Sequence, residues 1–88
     1  MNIREKLQAQ HSDINLLFLD EERYDKAIIG IGVHRDPHTK NACRAVKYDT
    51  DKVIEANVED GMTWEEAFDF FCYNQESAYL GEQTPIFT

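Results

Sequence analysis

The chain is poor in residues that punctuate or cross-link a fold, with two prolines, four glycines, two cysteines and one tryptophan among 88 residues. Two cysteines, Cys43 and Cys72, close one bridge at most, which excludes a disulfide framework. With no leader pattern in view they read as reduced thiols of a cytosolic protein. Long apolar runs are missing too. The longest, residues 16–19 and 27–33, fall well short of the roughly 20 residues a membrane-spanning helix needs. Cations are missing from one half. Residues 1–48 carry seven acidic and eight basic side chains, while residues 49–88 carry ten acidic ones and Lys52 alone, so +1 and −9 make up the formal charge of −8. An acidic half of that strength repels nucleic acid and anionic lipid and steers toward basic protein surfaces.

What is present suffices for one core. Apolar residues make up 42% of the chain, including five Phe, four Tyr and one Trp, which argues against disorder. Residues 1–88 are expected to form a single small domain with a stability of about 4–13 kcal/mol.

The clearest local signal is Thr63 followed by Glu66, a capping box in which hydroxyl and carboxylate each serve the other residue's amide. Met62 and Ala67 stand at the staple positions, and Gly61 suits the residue that closes the preceding helix. Trp64, Phe68, Phe71, Gln75 and Tyr79 recur at helical spacing, which predicts that this face builds the core. Ahead of it, Asp49 or Thr50 starts a helix that Gly61 stops. Its Ile54 and Val58 are predicted to be buried, while Asp51, Glu55 and Glu59 form an outward stripe. Like charges at i, i+4 cost a few tenths of a kcal/mol per pair, so helix stability gives no reason for the stripe. The second helix adds Glu65, Asp69 and Tyr73 along one exposed line and Glu66 along another, with Phe70 nearby. These seven residues, Asp51 through Tyr73, form the candidate partner-binding face: the carboxylates can pair with arginines and the aromatic can supply anchoring area. Two helices joined across a glycine also have a helix-turn-helix outline. The second helix, however, offers Glu65, Glu66 and Asp69 where a groove reader needs Arg, Lys, Asn or Gln, so direct nucleic-acid contact is not expected.

In the front half, Asn2 caps a short helix with Ile3 and Leu7 on one face, and Ser12-Asp13 before an apolar run predicts a further helical stretch over residues 12–19. Asp20-Glu21-Glu22 reads as a solvated loop rather than a divalent-cation site. Residues 27–33 are β-branched and short enough for a central strand, with Ile29, Ile31 and Val33 on one face and Ile28, Gly30 and Gly32 on the other. The glycine face leaves a trough for Trp64 or Phe68. With Arg35 or Arg44 as anion partner, the same trough could take a small nucleotide-like ligand. Gly30-Ile31-Gly32 lacks the third glycine of a phosphate loop. The polar stretch 34–41, interrupted by Pro37, reads as a hairpin loop, and residues 42–48 as the return strand. His34, His38 and Cys43 are zinc-competent types without a fourth partner, and no base is placed for Cys43 as a nucleophile. No metal, cofactor or catalytic residue is therefore assigned, and a non-enzymatic role is expected. The whole reads as an α+β domain: a β-hairpin packed against two helices joined at Gly61, with a short N-terminal helix and a short C-terminal edge strand at Ile86 and Phe87.

The pattern Tyr24-Asp25-x-Ala27-Ile28-Ile29-Gly30, then Tyr48-Asp49, then Gly61-Met62-Thr63-x-Glu65-Glu66-Ala67-x-x-x-Phe71-x-x-Asn74, then Gly81-x-x-Thr84-Pro85-x-Phe87, resembles small proteins of unassigned activity encoded by tailed bacteriophages. The resemblance spans residues 16–88. It implies an accessory role in the cytoplasm of the infected bacterial host. There, a small acidic protein would inhibit a nucleic-acid-handling defence component, of the anti-restriction or anti-CRISPR type, by covering its basic surface. The alternatives are a binder or sponge of a small nucleotide-like ligand, and a structural or oligomeric phage protein.

Overall fold

The computed structural model describes residues 2–88. Helix α1 (Ile3–Gln10) starts at Asn2, whose side chain accepts from the Glu5 amide at 2.9 Å. A short 3₁₀ segment, Glu22–Ala27, leads into β1 (Ile28–Arg35), which turns back into β2 (Ala42–Tyr48). Helices α2 (Thr50–Glu59) and α3 (Trp64–Phe70) follow, and α3 runs on into a π-helical stretch, Phe71–Glu76. Strand β3 (Ile86–Phe87) completes a three-stranded sheet of order β1-β2-β3, antiparallel between the first two and parallel between the last. This is the α+β arrangement expected from the sequence, C-terminal strand included.

The cap signals act where they stand. Asp49 accepts from the Lys52 amide at 3.0 Å to open α2. Both halves of the Thr63–Glu66 box are formed, at 2.9 and 3.2 Å. Gly61, at φ 108°, makes the left-handed step between the helices that a side chain would strain. Tyr24, Ala27, Val46, Tyr48, Val53, Ile54, Ala56, Ala67 and Phe71 make up most of the core, joined by Leu7 and Leu16 from the front of the chain.

Four expectations are corrected. Residues 12–19 are not helical. The Gln8 side chain donates to the carbonyls of His11 and Ile14 and accepts from the Leu16 amide, so one amide group meets the hydrogen-bond needs that helical turns would otherwise meet. Leu16 is buried and the Leu19 amide donates to the Tyr48 hydroxyl, which fixes the run as an extended strap. Second, β1 contains a bulge. Ile28 pairs with Tyr48 but Gly30 with Lys47, leaving Ile29 as the extra residue, so Ile28 joins the face of Ile31 and Val33 instead of opposing it. Third, the glycine trough takes neither Trp64 nor Phe68. Ile86 and the Lys47 stem occupy it at Gly32, where a Cβ would stand 3.0 Å from Ile86 Cδ1, while nothing lies within 4 Å of a Cβ built on Gly30. Fourth, α2 buries Val53, Ile54, Ala56 and Asn57 while Val58 is exposed, and α3 buries Ala67, with Phe71 of the π-helical stretch behind it, while Trp64 and Phe68 face solvent. The helices approach through Ala67, which has no exposed surface; the large rings on the neighbouring row are left outside.

Candidate functional site

All seven carboxylate-face candidates lie on the α2–α3 half, and they divide into two groups. On α2, Asp51, Glu55 and Glu59 are exposed as a stripe. The stripe is closed at its C-terminal end from the front half of the chain. Lys26 pairs with Glu59, and Arg23 reaches the adjacent Asp60 at 3.3 Å. Among the described residues no lysine or arginine pairs with Asp51, Glu55, Glu65 or Asp69. Glu66 and Asp69 of α3 and Tyr73 of the π-helical stretch gather with Met62, Phe70 and Asn74 around a shallow depression of about 410 Å³, and Glu65 stands exposed on α3 beside them in sequence. Glu66 is held by its cap: the Thr63 amide and hydroxyl lower its pKa below the usual carboxylate range. Tyr73 is 78% exposed.

Helical geometry orders the rows on α3. At 100° per residue the buried row 67/71 is followed by 64/68, then 65/69, then 66/70. Trp64 and Phe68 stack with centroids 5.4 Å apart and planes at 11°, leaving 59% and 42% of each residue in solvent. An aromatic row and a carboxylate row therefore run side by side on the outside of the helix. The sequence placed these two rings in the core; their exposure makes them part of the candidate face.

The residues proposed for a nucleotide-like ligand are not brought together. Gly30 and Gly32 pair with Lys47 and Ala45, on the sheet face opposite Arg35 and Arg44. Arg35 donates to the Lys40 carbonyl at 2.5 Å, and Arg44 is bonded to Asp13 and lies 3.0 Å from His11 Nδ1.

His34, His38 and Cys43 belong to a different structure, a clasp between the hairpin tip and the C-terminal segment. Asp36, without exposed surface, accepts from the amides of His38 and Thr39, both at 2.8 Å, and from the Tyr79 hydroxyl at 2.8 Å. The His38 ring lies 4.6 Å from that of Tyr79. The Glu82 carboxylate accepts from Thr39 Oγ1 at 2.6 Å and Asn41 Nδ2 at 2.9 Å, while its carbonyl lies 3.0 Å from His34 Nε2. Cys43 is buried and donates to the Asn41 carbonyl. Burial, with Glu82 beside it, pushes its thiol above the ordinary range, the opposite of what a nucleophilic thiolate requires. Among the described residues no three His, Cys, Asp or Glu side chains are grouped to hold a metal ion, and no helix is long and apolar enough to cross a membrane.

Comparison with protein-family models, with curated proteins and with solved structures returns no match.

Proposed function

We propose that the chain is an acidic accessory protein of a tailed bacteriophage that acts by binding. Its target is a host protein, a nucleic-acid-handling defence component in the cytoplasm of the infected cell, whose basic surface it covers. The observation that carries this reading is the outer side of α3, where Glu65 and Asp69 stand without cationic partners among the described residues, beside two exposed stacked rings. Carboxylates next to apolar area supply both steering and anchoring to a protein surface built for phosphate. Asp51 and Glu55 on α2 extend the negative field. The likeness to phage proteins supplies the setting, and the charge of −8 favours a protein target over nucleic acid itself.

The test has two stages. Immobilised protein is used to capture partners from bacterial lysate at low and high salt. Each captured protein is then assayed for nucleic-acid binding with and without the added chain. The proposal requires a basic nucleic-acid-binding partner whose binding falls when the chain is present and whose capture weakens with salt. Replacing Glu55, Glu65 and Asp69 by Lys must weaken both effects while the circular-dichroism spectrum is unchanged. Captured proteins that lack a basic surface, or salt-insensitive capture, would refute it.

A further inference from the structure

The aromatic row is more than apolar area beside charge. Trp64 and Phe68 are near-parallel, both open to solvent, and one row away from Glu65 and Asp69. Lysine and arginine differ in what they can do at such a place. An ammonium group is a compact, strongly hydrated charge that a carboxylate alone serves well. A guanidinium is planar and weakly hydrated; it can lie flat on a ring while its in-plane N–H groups pair with a carboxylate at the ring's side. Parallel rings flanked by acids match the second group in shape and in charge.

We infer that the double row 64/68 and 65/69 on α3 is an arginine-reading surface. Its occupant is a basic protein segment whose guanidinium groups stack on Trp64 and Phe68 and pair with Glu65 and Asp69. The inference rests on the binding reading above and narrows the partner to one that presents arginine rather than lysine. The α2 carboxylates then contribute to the rate of encounter, and the α3 rows to the strength of holding.

Trp64 is the chain's single tryptophan, so its emission reports from inside the proposed contact. Two peptides of equal length and charge, one with arginines where the other has lysines, are titrated against the whole protein by fluorescence and by calorimetry. The arginine peptide is expected to shift Trp64 emission and to bind about fivefold more tightly, the factor expected from one exposed cation–π contact of about 1 kcal/mol. Phe68→Ala, which leaves Trp64 as the one remaining ring, should reduce the preference while leaving salt-dependent binding. Glu65→Gln with Asp69→Asn should weaken both peptides alike and flatten the salt dependence. All three positions are exposed, and retained circular dichroism confirms that the variants are folded. Equal affinity for the two peptides, or calorimetric binding of the arginine peptide with Trp64 emission unmoved, overturns the inference. If host capture nonetheless succeeds, only the arginine preference falls. If the arginine preference is found but no basic host protein is captured, the double row stands and the host-inhibitor reading falls.

Discussion

The hydroxyl of Tyr79 donates at 2.8 Å to the carboxylate of Asp36, which has no exposed surface, across 43 residues of sequence. Together with the Thr39 and His38 amides it makes Asp36 the fastening point between hairpin tip and C-terminal segment.

That fastening sets an acid limit. The Thr39 amide, the Tyr79 hydroxyl and the His38 amide hold the Asp36 pKa below its ordinary value, and the Thr39 hydroxyl and the Asn41 amide do the same for Glu82. A carboxylate whose folded pKa is depressed contributes stability that is fully present above its unfolded pKa, about 4, and lost as pH falls through the lower folded value. Thermal midpoints should therefore stay level from neutral pH down to about pH 5 and drop below about pH 4. In Asp36→Asn the neutral-pH midpoint should be lower and the acid drop smaller. An unchanged acid drop in both Asp36→Asn and Glu82→Gln would show that other carboxylates set the limit.

Phe71 and Trp64 should separate sharply under truncation. Phe71 is 2% exposed and lies edge-on to Phe87 at 5.0 Å, whereas Trp64 is mostly in solvent. Phe71→Ala should cost about 3–5 kcal/mol and Trp64→Ala less than about 1 kcal/mol in urea unfolding. Comparable losses would return Trp64 to the core.

Asn57 is a buried polar residue that holds three elements. Its Oδ1 accepts from the Tyr24 hydroxyl at 2.5 Å, and its Nδ2 donates to Gln75 Oε1 at 3.1 Å. Asn57→Ala strands both partners and should cost about 2–4 kcal/mol. Tyr24→Phe should cost less, about 1–3 kcal/mol, since of the two bonds it removes only the one to Asn57 is fully buried; the other is accepted from Arg23 at the edge of the core. The double variant should fall short of the sum, and additivity in that cycle would show that the two groups act separately.

Gly32 is fitted to Ile86. Gly32→Val should destabilise by about 1–3 kcal/mol by pressing on Ile86, and Ile86→Ala in the same chain should recover part of that loss. Chemical denaturation of the four-member set measures it, and no recovery would place the strain elsewhere.

The helix boundaries were legible because their signals are local: Asp49 and Thr63 bond within three residues of themselves. The carboxylate rows of α2 and α3 were legible for the same reason, as helical spacing fixes them. Spacing alone could not tell which of two adjacent rows, 64/68 or 67/71, faces inward. Large rings suggested the first, but a close approach needs a small residue, and Ala67 supplies it. The strap over residues 12–19 was hidden because Gln8 does with a side chain what periodicity attributes to backbone. A bulge adds one residue without marking it, so the alternation along β1 was misread at Ile29. The Lys26–Glu59 pair and the Asp36 clasp join residues 33 and 43 apart, distances at which sequence pattern carries no information about contact.

Strand β3 lies parallel to β2 and touches it where that strand ends: the Thr88 amide bonds to the Tyr48 carbonyl, and the Thr50 amide to the Thr88 carbonyl. Everything between, both helices and the whole acidic face, is thus a single excursion that departs from and returns to one spot. Its two ends meet through the Thr50–Thr88 and Thr88–Tyr48 bonds, so the acidic half is closed on itself at the point where it leaves the hairpin. A tug on Thr88 would reach the first turn of α2 before it reached β1.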